Sequence, residues 1–108
     1  MKNTWVKKNG YETLLLANDS DLNLPNTEAQ VVRFHQGKFA HYHKVKTEFF
    51  YVTSGEGLVV IEGEELNLKK GTSILVKPGM KHEFINKSDV PLELVMFKTN
   101  STTEDTYF

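Results

Sequence analysis

Short runs of β-favouring residues recur along this chain, each closed by glycine, proline or a polar cluster, and no stretch sustains an i, i+3, i+4, i+7 apolar pattern. A helix needs that spacing to bury one stripe against a core, so helical fold classes are left without a core-forming element. Strands are expected at 11–16, 31–35, 40–43, 49–53, 58–61, 74–76, 82–85 and 92–98. A hairpin turn at Glu62-Gly63-Glu64 leads into Leu66 and Leu68, which alternate with polar residues. About ten short strands with turn residues between them predict an all-β sandwich or barrel. Residues 58–61, Leu-Val-Val-Ile, are apolar on both faces, so both must be buried or one must meet a partner.

With 108 residues and 39% hydrophobic content, the chain has material for one core. Residues 1–108 are therefore read as one domain ending in a polar, acidic tail over 100–108. The 13 basic residues, all lysine except Arg33, stand against 14 acidic ones and form no stripe, so nucleic acid is not an expected partner. No apolar run approaches a membrane span, so no membrane partner is expected either. The segment Met1-Lys-Asn-Thr-Trp-Val-Lys-Lys lacks an apolar signal core, and cysteine is absent. Both point to a cytoplasmic protein. The absence of cysteine also removes disulfides, thiolate nucleophiles and sulfur-ligated zinc, and without secretion the sequons at Asn86 and Asn100 carry no meaning.

Chemistry concentrates in two segments. Residues 37–55 contain His41, His43 and Glu48 between Gly37 and Gly55, and residues 71–86 contain Pro78, Gly79, His82 and Asn86 after Gly71. Successive side chains on a strand alternate faces, so His41 and His43 project to one side. Glu48 lies beyond a break at 44–47, where the chain can reverse and present the carboxylate from the neighbouring strand. Three imidazoles and a carboxylate form a ligand set for a divalent metal.

The two segments closely resemble the motifs of the cupin family. In the first, a His-x-His pair is followed by a glutamate, then six residues and a glycine; His41, His43, Glu48 and Gly55 match. In the second, a glycine leads through Pro-x-Gly to a histidine and an asparagine; Gly71, Gly79, His82 and Asn86 hold those spacings, while Lys77 stands where the motif proline usually lies and Pro78 follows it. Three residues separate Gly37 from His41 where the family usually has five. The resemblance implies a double-stranded β-helix, or jelly-roll barrel, open at one end. It also implies a metal held by His41, His43, Glu48 and His82. Nitrogen and oxygen donors admit iron, manganese, nickel, cobalt or zinc, and affinity alone does not choose among them.

Alternation from these ligands places Phe50, Val52 and Phe84 on the pocket lining. On the last strand Leu92, Leu94 and Met96 face inward, which makes the cavity mainly apolar. Tyr42, Phe49 and Tyr51 fall on the opposite face, where they pack between sheets or against a second subunit, and a homodimer is expected. Arg33 is a candidate anchor for a substrate carboxylate. His35 lies outside both motifs and is assigned to the surface. The resemblance implies a small-molecule ligand and favours dioxygenase-like chemistry; the alternatives are a metal-dependent sugar isomerase or lyase and a binding module without turnover. No independent general base is visible, so Glu48 is the one protein group considered for catalysis.

Overall fold

Alternation of apolar and polar residues gives nearly every strand one face to bury, and two sheets satisfy this by closing over a shared interior. The computed structural model describes residues 4–101 and 106–107, the side chains of His41, Thr106 and Tyr107 excepted. The strands are Trp5–Lys7 (β1), Tyr11–Ala17 (β2), Glu28–Phe34 (β3), Gly37–His43 (β4), Thr47–Ser54 (β5), Gly57–Ile61 (β6), Glu64–Leu68 (β7), Ser73–Val76 (β8), His82–Asn86 (β9), Leu92–Thr99 (β10) and Thr106–Tyr107 (β11). One sheet runs β1-β2-β3-β10-β5-β8 and the other β11-β4-β9-β6-β7, with antiparallel pairing. This is an all-β jelly roll, as expected. No helix among the described residues is long and apolar enough to cross a membrane.

The interior is filled by the inward residues of the central strands: Val32 and Phe34 of β3, Phe50 and Val52 of β5, Val59 and Ile61 of β6, Phe84 of β9, and Leu92, Leu94 and Met96 of β10. In the doubly apolar run, Val59 and Ile61 point into this core, while Leu58 and Val60 are half-buried on the outer face. Asn86 is buried and closes the β9–β10 turn, donating to the carbonyls of Phe34 (3.2 Å) and Val90 (2.9 Å) and accepting from Ser88 N–H (3.0 Å). An amide so engaged is a structural residue.

Three elements were not expected. β1 is a three-residue edge strand and β11 a two-residue one, the latter inside the segment read as tail. The third is a helical turn, Asp19–Leu22 (α1), which buries no residue. It is held by local chemistry instead. Asn18 Oδ1 accepts from Asp21 N–H (2.9 Å) while the Asp21 carboxylate accepts from Asn18 N–H (3.0 Å), a reciprocal cap that needs no apolar stripe.

Arg33 does not face the interior. Val32 and Phe34 take the inner face of β3, which sends Arg33 outward between Glu12 and Glu93, its partners in register. Its Nη2 lies 3.1 Å from Glu93, and its guanidinium carbon stands 4.0 Å above the Trp5 ring. His35 is at the surface, 2.9 Å from Glu12.

Candidate metal centre

Glu48 reaches the histidines from across the barrel. β4 and β9 pair in one sheet, while β5 lies in the other, so the break at 44–47 carries the chain between layers and not to an adjacent strand. This corrects the expectation of a carboxylate presented from the neighbouring strand. Register then sets the depth of each group. Along β5 and β10 the inward pairs are Glu48 with Lys98, Phe50 with Met96, and Val52 with Leu94.

The donor atoms of His43, Glu48 and His82 all lie within 4.8 Å of one another, and all three residues are buried. Glu48 Oε1 is 3.1 Å from His43 Nε2 and 3.6 Å from His82 Nε2. Ligand atoms that share one ion at about 2.1 Å sit about 3–3.5 Å apart, and His43, Glu48 and His82 form a group that could hold a metal ion. The His41 backbone pairs with that of His82, and its imidazole lies outside the described residues.

A turn orients His82. Met80 N–H bonds back to the Lys77 carbonyl (3.2 Å), with Pro78 and a positive-φ Gly79 (84°) between them, the residues a type II turn requires. Gly79 N–H bonds to the His43 carbonyl, which ties the turn to the end of β4. The Met80 carbonyl accepts from His82 Nδ1–H at 3.2 Å. A carbonyl can only accept, so Nδ1 carries the hydrogen and Nε2 presents its lone pair to Glu48 and His43.

Charge agrees with this geometry. Burial pushes the His82 imidazole below its ordinary pKa; His43 and Lys46 push the same way, and together they outweigh the Met80 carbonyl and Glu48. Burial would raise the Glu48 carboxyl, but a hydrogen bond from His43 and the charges of His43, Lys46 and His82 hold it below its ordinary value. The centre therefore offers a neutral imidazole at His82 and an ionised carboxylate at Glu48.

His43 and Glu48 open onto a cavity of about 1130 Å³ lined mainly by the inner face of the six-stranded sheet. His82 packs behind them, its ring against Phe50 and Phe84. Phe50, Phe84 and Met96 line this cavity. Val52 and Leu94 do not: they lie one row deeper, fully buried in the core. Alternation fixes the face of a residue but not its depth. Apolar surface makes up the larger part of the wall, and Thr13, Glu28, Gln30, Lys46 and Lys98 add polar groups to it. Lys98 shares the parity of Met96 and Tyr11 that of Thr13, so the sequence held a signal for both. Lys46, in the β4–β5 loop, reads as a solvated lysine and gave none. The Tyr11 phenol also lines the cavity, and burial and the Glu48 charge raise its pKa, keeping it a neutral donor.

Residues 30–98 match the sequence model of the cupin domain. Among solved structures, a sugar phosphate isomerase of a cupin superfamily from Silicibacter pomeroyi is 27% identical, with a TM-score of 0.71 over 85% of this chain and 60% of that one. KdgF from Halomonas sp. is 22% identical, with a TM-score of 0.75 over 91% and 87%. Ectoine synthase from P. lautus is 18% identical, with a TM-score of 0.78 over 95% and 78%. The last two likenesses speak for the fold alone. Among curated protein sequences no relative matches.

Proposed function

This chain belongs to the cupin family, and from that premise we propose that it holds a divalent transition metal through His43, Glu48 and His82, with His41 as fourth ligand, and acts there on a small organic molecule. The observation that carries the reading is the joint position of His43 and Glu48: both contribute to the three-atom cluster and both line the large cavity. A structural metal is closed off by its ligands, whereas one reached from a cavity keeps a position for an incoming molecule.

A bound dication supplies Lewis acidity, drawing electron density from an oxygen of the substrate. The protein's own part is to bind, orient and shield. His82 is locked by Met80, Glu48 stays ionised, and Phe50, Phe84 and Met96 form the dry side of the cavity. Tyr11, Lys46 and Lys98 are proton-bearing groups on the same wall, which supports redox-neutral, proton-moving chemistry of the isomerase or lyase kind. The likeness at 27% identity to a sugar phosphate isomerase leans the same way. Dioxygenase-like turnover is the second reading, supported by a sulfur-free donor set that iron accepts. The same proposal includes a cytoplasmic address and a homodimer built on the outer face of the six-stranded sheet, where Phe49, Tyr51 and Leu75 are 42%, 45% and 50% exposed.

Elemental analysis of protein purified without chelator, beside His43→Ala and His82→Ala variants, tests the metal. Wild type should carry close to one ion per chain and the variants far less; equal content would refute the assignment. Turnover by nickel-, manganese- and iron-loaded protein, followed with an oxygen electrode, then separates the two chemistries. Product without oxygen uptake is expected.

A further inference from the structure

We infer that the small molecule taken by this cavity is an anion, its carboxylate or phosphate oxygens received by Lys46 and Lys98 beside the metal ligands. The inference rests on the metal-centred reading above and adds the chemical class of the ligand to it. Lys46 is only 8% exposed and lines the cavity beside His43 and Glu48. Lys98 stands opposite Glu48 on one side and Glu28 on the other, in the row of inward residues nearest the ligands. Its ammonium is 3.8 Å from Glu28, whose carboxylate also accepts from Gln30 Nε2 at 2.7 Å. Glu28 is thus shared between two donors, a loose arrangement that leaves Lys98 able to turn to an entering group.

The charge balance gives the direction. Among the described residues, four lysines and three carboxylates line the cavity, a balance of +1. A dication at the cluster would raise that to +3 and would engage the Glu48 charge that now faces Lys46. Two cations separated by one carboxylate, in a partly desolvated pocket, attract an anion strongly and a neutral molecule hardly at all. Lysine suits this task as a point charge, free of the planar geometry that an arginine fork would impose.

Cobalt(II)-loaded protein titrated with malonate, with inorganic phosphate and with the neutral malonamide, followed by visible absorption of the metal and by calorimetry, tests this. At least one anion should bind about tenfold or more tighter than malonamide, and the tighter of the two names the carboxylate or phosphate class. Lys46→Gln should lose about tenfold in anion affinity, Lys46→Arg should keep it, and Lys46→Gln should hold cobalt at least as tightly as wild type, because a repelling charge is gone. A merely structural Lys46 would lose cobalt as well, and that result overturns the inference. Lys98→Gln is judged by the same loss of anion affinity, and it decides the matter if Lys46→Gln does not fold. Cobalt-loaded wild type that binds malonamide as well as either anion refutes this inference and leaves the metal centre standing. Protein that takes up no cobalt overturns both.

Discussion

His82 is held at Nδ1 by the Met80 carbonyl, and its Nε2 faces the ligand cluster. Buried in that position, it resists a proton, and this makes the fold sensitive to acid. The folded-state pKa lies below the ordinary 6.5, so below that pH the unfolded chain takes up the proton more readily than the folded one. Stability is therefore complete above 6.5 and is lost as pH falls through the folded value. Glu48, also depressed, adds a further loss below about 4.5. Chelator-treated protein should melt at a lower temperature at about pH 5 than at about pH 7.5, and His82→Gln should flatten the difference. A melting temperature that rose on acidification would contradict the buried, neutral assignment. Metal affinity should fall over the same range, because a protonated imidazole cannot donate.

Among the elements, the β5–β6 turn carries the strictest demand. Gly55 has a φ of 84°, and a Cβ there would collide with the Pro91 carbonyl of the β9–β10 connection. Gly55→Ala combines a strained backbone with a clash against rigid main chain, and should cost about 2–3 kcal/mol in denaturant unfolding. An unchanged midpoint would mean that the turn can relax. This glycine was legible in the sequence as a motif position, and so were the main strands, because alternation and turn residues are local signals. The short β1 and β11 were not, since two or three residues carry no period. The partner of Glu48 was misread for a different reason: a four-residue break says that the chain turns, not whether it stays in its sheet. Arg33 shows the complement, its direction being decided by Val32 and Phe34 on either side, which compete for the core.

For the whole molecule, the outer surface of the six-stranded sheet places Phe49, Tyr51 and Leu75 beside Val95 and Phe97 in register. A flat apolar face of this kind suits self-association when about 800 Å² per partner can be covered. Sedimentation should show a species at twice the 12.4 kDa of one chain, and Phe49→Lys with Tyr51→Glu should return it to 12.4 kDa with its circular dichroism unchanged. Wild type sedimenting only as the single chain at high concentration would remove the dimer from the proposal.

The crossing of the chain between layers at 44–47 has a kinetic consequence. With Glu48 on one sheet and His43 and His82 on the other, an ion held by all three would rivet the two layers together. The sheets could then part only when a ligand lets go, so the escape of the ion and the opening of the barrel would be coupled events. Loaded protein should unfold in denaturant far more slowly than chelator-treated protein, at a rate that tracks metal release, while refolding in chelator keeps its ordinary speed. Unfolding rates that ignored the metal would mean that the layers separate elsewhere first.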